Sequence, residues 1–313
     1  MNCETMVKLP VIDFSNQDLK PGTLEWDLVK AQVRQAIHEY SCFEASFDKI
    51  LEVRKPLFGA MEELFDLPFQ TKQLCVPDKL FRGYNRLSSR LHESILIDDA
   101  NVAENIEQRL TKIFWPQGNS NFSQTLFSFS ELASGLEKKI RRMILESFGV
   151  EKYADELIDS TNYMLRLMKY KGQQPQSNEP SLRAHYDQNM VTLLYQNEVN
   201  GLEIQTKHGE WINVKPSPDS FIVMTSESLS VWLNGRLRSP KHRVMVTENK
   251  ARYCAGLFAT PKGGYQVKIP EELVDEQNPL MFKPFDYEEF LDYFSSQLAK
   301  GDLSAGLKAY CSI

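Results

Sequence analysis

The sequence predicts a mainly β protein with flanking helices, and three observations support this fold class. Apolar residues recur at helical spacing through much of the first half of the chain. After about residue 160, short runs of branched and aromatic residues alternate with turn-forming residues, as in an antiparallel barrel or sandwich. A capped helical pattern returns near the C-terminus. We therefore expect one domain over residues 1–313, with a helical part at about 1–155, a β core at about 160–265 and a C-terminal helix and tail at about 285–313.

Three helical regions are predicted in the first half of the chain. Apolar residues at helical spacing predict a helix over Leu24–Tyr40. A second helical region covers Phe47–Phe65, where Pro56 should interrupt the helix or begin a new one. The longest helix is expected over about Ser123–Phe148, capped by its first residue and ended by Gly149.

Short strands separated by Gly, Pro, Asn or charged turn residues are predicted after residue 160. These strands are Tyr163–Tyr170, Met190–Tyr195, Leu202–Thr206, Trp211–Val214, Phe221–Thr225, Arg243–Thr247 and Arg252–Phe258. A last helix is expected at about Tyr287–Ala299, where Asp286 and Glu289 resemble a capping box and Gly301 supplies the stop.

Composition argues against several classes of function. A net charge of -6 and a pI near 5.6 give no electrostatic footprint for nucleic acid or an anionic membrane. No apolar run approaches the roughly 18 residues that span a bilayer, and Met1–Met6 shows no secretory signal. The five cysteines are scattered and form no CxxC pair, which fits a reducing compartment. We expect a cytoplasmic protein without nucleic-acid or membrane partners, and a monomer because no pairing element is visible.

Two histidines and an aspartate in the β region indicate a metal site. His185 and Asp187 are two residues apart, so in an extended strand both point to one face. His242 is the candidate third ligand from a distant strand. Two imidazoles and one carboxylate on one face of an octahedron leave positions for a co-substrate and O2 on non-haem Fe(II). Zinc would accept the same ligands in a hydrolytic site, and a hydrogen-bonded structural His–Asp pair would also explain the first two residues.

Arg252 adds a candidate anion-binding group. Strand alternation places Arg252, Cys254, Gly256 and Phe258 on one face. A guanidinium on an otherwise apolar interior face is unfavourable unless it meets an anion, and a carboxylate is its natural bidentate partner. The alternative is an edge arginine that reaches water.

These motifs resemble those of a known family. His185-x-Asp187, His242 and Arg252-x-Cys254 look like the HxD…H…RxS signature of plant 2-oxoglutarate-dependent dioxygenases. The resemblance covers nearly the whole chain and includes segments outside the signature, namely Leu9–Phe14, Arg82–Tyr84 and Val191–Val214. Three further segments look closest to the AOP branch of this family: Phe114–Asn119, Met168–Tyr170 and Tyr310–Cys311.

The resemblance implies a double-stranded β-helix (jelly-roll) core wrapped by helices, with Fe(II) bound by His185, Asp187 and His242. It implies that 2-oxoglutarate and O2 are co-substrates, with ascorbate as a candidate reductant. Arg252 would pair with the far carboxylate of 2-oxoglutarate, and Tyr170 would donate a hydrogen bond to it. The implied reaction oxidises a small, apolar specialised metabolite by hydroxylation, desaturation or ring closure, and releases succinate and CO2.

Three positions depart from the family pattern. Cys254 stands where the family has serine, and because a thiol is a poor donor we expect weaker 2-oxoglutarate binding. The bulky Tyr186 lies between two ligands and should point away from the iron. Ser226–Glu227 replaces a common Gly-Asp turn. Retention of every ligand and of Arg252 argues against an inactive scaffold.

The substrate pocket is less well defined by the sequence. Tyr84, Phe258, Phe290 and Phe294 are candidate substrate contacts, and for each an ordinary core role is the alternative. Two other functions stay open on this fold. One is a 2-oxoglutarate-independent iron oxidase, which the absence of succinate would reveal. The other is a non-catalytic metabolite-binding protein, which iron-dependent turnover would exclude.

Overall fold

A computed structural model describes residues 8–76, 82–86, 91–172, 179–302 and 305–313. Met1–Met6, including Cys3, lies outside these residues. The α-helices of the described chain are α1 Leu24–Tyr40, α2 Leu51–Asp66, α3 Phe69–Lys72, α4 Ala103–Ile106, α5 Lys112–Phe114, α6 Ser120–Ser147, α7 Ala154–Asp159, α8 Glu227–Trp232, α9 Tyr287–Ala299 and α10 Leu307–Cys311. No helix in these ranges is both long and apolar enough to cross a membrane.

The strands of the described residues form two main sheets and one small hairpin. They are β1 Val11–Asp13, β2 Cys42–Ser46, β3 Gly83–Arg86, β4 His92–Ile97, β5 Thr161–Tyr170, β6 Leu182–His185, β7 Val191–Gln196, β8 Leu202–Gln205, β9 Trp211–Val214, β10 Ser220–Thr225, β11 His242–Val244, β12 Arg252–Pro261, β13 Gln266–Val267 and β14 Phe285–Asp286. The large sheet has the order β1-β2-β10-β7-β12-β5-β4-β3, the small sheet has the order β6-β11-β8-β9, and β13 pairs with β14.

The two faces of the large sheet pack into two different apolar cores. Odd-numbered residues of β5 and β12, such as Leu165 and Leu257, join the main core, to which helices α1, α2 and α6 contribute. Even-numbered residues, such as Met168 and Cys254, join a second apolar cluster with residues of the small sheet, such as Ile204. The second cluster therefore lies between the two sheets, and the candidate site is built against it.

The helices confirm two predictions and correct two others. α1 and α9 have the predicted bounds. α6 begins earlier than expected, because the Asn119 side chain accepts a hydrogen bond from the Phe122 N–H and takes the capping position predicted for Ser123. Pro56 does not interrupt α2. Pro56 and Glu52 are both exposed, so the carbonyl that loses its partner lies on the solvent side of the helix.

The first half of the chain is less helical than the sequence suggested. Four strands, β1 to β4, come from this half and complete both ends of the large sheet. Ser41 ends α1 with a left-handed φ of 60°, and β2 begins at the next residue. Two of these strands have partners that are distant in the chain; β2 pairs with β10, and β4 pairs with β5. Such long-range pairing leaves little local signal in a short segment.

Candidate metal centre and co-substrate pocket

Strand pairing brings the three predicted metal ligands together. His185 is the last residue of β6 and His242 is the first of β11, and the two residues are opposite each other in the antiparallel pair. Their ring centroids are 4.3 Å apart. Asp187 lies just beyond the end of β6 rather than within a strand as predicted, yet its carboxylate still turns toward both imidazoles.

The geometry of these three side chains fits a metal ion. Asp187 Oδ1 lies 3.6 Å from His185 Nε2 and 3.7 Å from His242 Nε2. One ligand atom from each residue can be chosen so that all three lie within 4.8 Å of one another. Two imidazole nitrogens and one carboxylate oxygen on one side of a common centre match the facial arrangement that non-haem Fe(II) uses.

Neighbouring groups hold each candidate ligand with its metal-facing atom free. His185 Nδ1 lies 2.8 Å from the Arg183 carbonyl, and His242 Nδ1 lies 3.3 Å from the Pro240 carbonyl. Both contacts direct Nε2 toward the centre. The Thr192 hydroxyl donates a 2.7 Å hydrogen bond to Asp187 Oδ2, which leaves Oδ1 facing the imidazoles.

Electrostatics favour the metal-binding form of His185. Burial, followed by the neighbouring His242, lowers the pKa of His185 below its usual range. The imidazole is therefore neutral near pH 7, which is the form that coordinates metal.

Beside the metal centre lies a small inner cavity of about 30 Å³ between the sheets. All six residues predicted to bind iron or 2-oxoglutarate line it, together with seven others. The lining consists of His185, Asp187, His242, Arg252, Tyr170, Cys254, Arg166, Met168, Leu182, Leu194, Leu202, Val244 and Phe258. Three residues of the predicted face of β12, Arg252, Cys254 and Phe258, thus line this cavity.

Arg252 enters this cavity as a buried cation without a buried anion. Its side chain is 1% exposed. Nε and Nη2 both donate to Gln196 Oε1, whereas Nη1 has no hydrogen-bond partner in the described structure. Across the described ranges, no carboxylate oxygen lies within 4 Å of its guanidinium. A buried guanidinium in this state fits a carboxylate ligand, because the unpaired charge is otherwise strongly unfavourable.

Tyr170 and Cys254 are neutral groups beside Arg252. Arg252 lies over the Tyr170 ring, with Cζ 5.0 Å from the centroid. Burial raises the pKa of Tyr170 to about 12, and its hydroxyl donates to the weak acceptor Met168 Sδ at 3.3 Å. Burial also raises the pKa of the Cys254 thiol, while Arg252 opposes this shift. Both groups therefore keep a proton, and the phenol is the stronger donor.

A larger outer cavity of about 380 Å³ opens on the other side of His185 and Asp187. Apolar side chains from the sheet and from α9 dominate its wall, and several polar groups interrupt them. The lining consists of Arg82, Asn85, His92, Leu96, Met164, Arg166, Leu182, His185, Tyr186, Asp187, Gln188, Asn189, Phe258, Tyr287, Leu291, Phe294 and Leu298.

Two of the four aromatic residues predicted to contact substrate line this cavity. Phe258 and Phe294 are in its wall. Tyr84 is not, because its hydroxyl donates to Glu93 Oε2 and its ring packs against the main core. Phe290 is not either; it is fully buried and stacks under Phe294.

The two remaining departures from the family pattern lie around the metal centre. Tyr186 is 44% exposed and lines the outer cavity but not the inner one. Its ring lies 5.9 Å from Lys241 Nζ. Ser226 precedes α8, and the Glu227 N–H donates a 2.9 Å hydrogen bond to the Asp187 carbonyl. The Ser226–Glu227 turn therefore fixes the backbone of a candidate ligand.

Sequence reasoning did not identify four polar residues of this region: Thr192, Gln196, Arg166 and His92. Strand alternation could have found Arg166, because it lies on the same face of β5 as Tyr170. The other three become part of the site only through pairing of distant strands; Gln196, for example, lies opposite Cys254.

Gly256 shapes the boundary between the cavities. It lies opposite Arg166 on β5 and between Cys254 and Phe258 on β12. A Cβ atom at this position would lie 2.8 Å from Phe258 Cε2 and 3.0 Å from Leu194 Cδ2. The ring of Phe258 lines both cavities, and the side chain of any other residue at position 256 would clash with it in its present position.

Comparisons with known proteins agree with this geometry. Residues 161–261 match the model of the 2OG-Fe(II) oxygenase superfamily, and residues 9–111 match that of the non-haem dioxygenase in morphine synthesis N-terminal region. The chain is 50% identical over 299 residues to the probable 2-oxoglutarate-dependent dioxygenase AOP1 of Arabidopsis thaliana, which covers 94% of this chain and 98% of that protein.

Solved structures share the fold. The dioxygenase for auxin oxidation of rice superposes with a TM-score of 0.81 at 24% identity, over 98% of this chain and 100% of that one. Its Arabidopsis thaliana counterpart, solved as a complex with 2-oxoglutarate, has a TM-score of 0.77 at 21% identity, over 87% and 99%. The jelly-roll architecture expected for the core is therefore confirmed.

Proposed function

This chain belongs to the 2-oxoglutarate/Fe(II)-dependent dioxygenase family, and from that premise we propose that His185, Asp187 and His242 bind its iron and that Arg252 binds its 2-oxoglutarate. The family makes the protein an oxidoreductase that oxidises a specialised metabolite with O2. When bound, Fe(II) couples the oxidative decarboxylation of 2-oxoglutarate to the oxidation of a C–H bond, with release of succinate and CO2.

The observation that carries the proposal is the buried guanidinium of Arg252 beside the three converging ligands. Its Nη1 has no partner in the described structure, and it faces the same small cavity as His185, Asp187 and His242. A 2-oxoglutarate-independent iron oxidase would need no buried cation at this point. A hydrolytic zinc site would not need one either.

The neighbouring residues each have a defined part in this proposal. Arg252 pairs with the far carboxylate of 2-oxoglutarate, and Gln196 holds the guanidinium in place. Tyr170 donates a hydrogen bond from its protonated phenol, and Cys254 contributes a weaker one. The apolar side chains of the second cluster exclude water, which strengthens each of these contacts.

We further propose that the prime substrate, a small metabolite with an apolar skeleton, occupies the outer cavity. Phe258 and Phe294 would contact it, and hydroxylation, desaturation or ring closure are the available outcomes. A monomeric, cytoplasmic enzyme is part of the same proposal. Size-exclusion chromatography with light scattering tests the first property, and a fluorescent fusion tests the second.

The primary test is an anaerobic titration of the Fe(II)-loaded protein with 2-oxoglutarate, followed through the visible charge-transfer band of a metal-chelated keto acid. We expect a saturable band in the wild type and none in His242→Ala, which should also lose stoichiometric iron. His208→Ala is the matched control, because His208 is an exposed histidine of the same β region. Bound iron without a band would support the 2-oxoglutarate-independent oxidase, and a protein without iron would support a binding protein.

A further inference from the structure

Arg166 is a second cation at the candidate site, and it is not needed to hold 2-oxoglutarate in the arrangement above. It extends from β5 into the space where both cavities meet, since it lines the inner and the outer one. Its Nε and Nη2 donate long hydrogen bonds of 3.3 and 3.2 Å to the Ser94 hydroxyl. Over the part of the chain that the structure describes, it forms no ion pair.

The other charged side chains of the outer cavity, those of Arg82 and Asp187, already face groups of the protein. Arg82 pairs with Asp98 at 2.7 Å and with Glu288 at 3.6 Å. Asp187 faces the two imidazoles of the candidate metal centre. Arg166 is therefore the cation of this apolar cavity that still lacks an anion among the described residues.

His92 provides a second, independent sign of a missing ligand. It is 2% exposed and lines the outer cavity, and its Nε2 has no hydrogen-bond partner in the described ranges. Burial, followed by Arg166 and Arg252, lowers the pKa of His92 to about 3, so the ring is neutral and carries one N–H. A buried ring nitrogen without a partner is uncommon in a folded protein.

On the premise of the function proposed above, we propose that the prime substrate carries a carboxylate, which Arg166 receives through an ion pair and His92 through a hydrogen bond. The remainder of the cavity wall is largely apolar and includes Leu96, Phe258 and Phe294. The substrate class is accordingly an apolar carboxylic acid rather than a neutral hydrocarbon-like metabolite. Arg166 would then determine specificity and orient the skeleton, without acting on the reacting atoms.

The test uses the full chain loaded anaerobically with Fe(II) and 2-oxoglutarate. A panel of arylalkanoic and cycloalkylalkanoic acids, each with its methyl ester, is added, and binding is read from the shift of the charge-transfer band. We expect acids to bind the wild type at least about tenfold more tightly than their esters, which is the typical effect of one charge-assisted interaction. Arg166→Met should remove this preference, and Arg166→Lys should retain part of it.

Two controls keep the result interpretable. Arg86→Met removes an exposed arginine of the same sheet and should preserve the acid preference. The 2-oxoglutarate titration and the thermal midpoint of each variant report whether the co-substrate site and the fold are intact.

Three outcomes would overturn the inference. The wild type could bind acids and esters equally well, or no acid could shift the band. In the third, Arg166→Met would weaken the binding of 2-oxoglutarate as much as it weakens the binding of the acids. The last would assign Arg166 to the co-substrate. Absence of the band in the wild type would instead refute the proposed function itself.

Discussion

The inner and outer cavities share a wall at His185, Asp187 and Phe258, yet they are built in different ways. Apart from Asp187, the residues of the inner cavity come from strands of the two facing sheets. The outer cavity also takes side chains from α9 and from β3 and β4, which belong to the edge of the large sheet.

On the proposed function, this difference predicts a rigid co-substrate site and a more variable substrate site. The inner cavity is enclosed by paired strands, so its polar groups have fixed positions and suit one invariant co-substrate. Part of the outer wall consists of a single helix and an edge hairpin, and such elements can change without disturbing the strand pairing at the metal. Substitutions should therefore separate cleanly into those that alter 2-oxoglutarate binding and those that do not.

The largest effect on 2-oxoglutarate is expected from Arg252→Met. Loss of a buried charge-assisted pair should raise the dissociation constant by about 100-fold. Anaerobic titration of the charge-transfer band measures it, with Arg243→Met as a control, because Arg243 pairs with Glu203 outside both cavities. If the Arg252→Met protein bound 2-oxoglutarate as tightly as the wild type, Arg252 would not be the residue that binds the co-substrate, and the proposed role of the inner cavity would be wrong.

A smaller effect is expected from Gln196→Glu. The new carboxylate would pair with Arg252, so the guanidinium would no longer need an anion, and 2-oxoglutarate should bind about tenfold more weakly. Thermal stability should be retained, because the buried cation gains a partner. The same titration and a thermal melt test this, with Gln205→Glu on β8 as the control. Tighter 2-oxoglutarate binding by Gln196→Glu would contradict the assigned role of Gln196.

Cys254→Ser should have the opposite effect and lower the dissociation constant for 2-oxoglutarate by a few fold. A hydroxyl is a better donor than the buried thiol, and one improved hydrogen bond of about 0.5–1.5 kcal/mol should tighten 2-oxoglutarate binding accordingly. Cys42→Ser is the control, since Cys42 is a buried cysteine of the same apolar cluster but does not line the inner cavity. An unchanged dissociation constant would mean that position 254 does not contact the co-substrate.

The smallest effect on 2-oxoglutarate, less than about twofold, is expected from Phe294→Ala. Phe294 lines only the outer cavity of the two, so its loss should instead weaken the best-binding acid of the panel by about tenfold, through lost apolar contact. Isothermal titration calorimetry of both ligands against one preparation distinguishes the two effects. Equal losses for both ligands would show that the cavities do not behave as separate units.

The sequence singled out six residues that line the inner cavity, but only two of its four aromatic candidates line the outer one, and the reason is physical. His185, Asp187, His242 and Arg252 carry chemistry that is expensive in an apolar strand region, so each attracts notice by itself. Branched residues and turns also predicted seven strands after residue 160, and their observed bounds differ from the prediction by a few residues at most, whereas β6, β13 and β14 were not predicted.

The residues of the outer cavity gave few comparable signals in the sequence. β3 and β4 are short strands of the predominantly helical half, and they are specified by pairing, β4 with β5 and β3 with β4, rather than by their own residues. Tyr84 and Phe290 are aromatic residues on the correct elements, but their rings turn into the main core. His92 gave no local sign of a role, because its importance depends on the strand that lies beside it.

The absent side chain of Gly256 has a consequence for how this enzyme could diversify. The Phe258 ring lies beside Gly256 and lines both the inner and the outer cavity. A single added methyl group, as in Gly256→Ala, would displace this ring while leaving every candidate ligand and both arginines in the sequence. On the proposed function, regioselectivity, meaning which carbon of the substrate is presented to the iron, could therefore be retuned from a position that lines neither cavity.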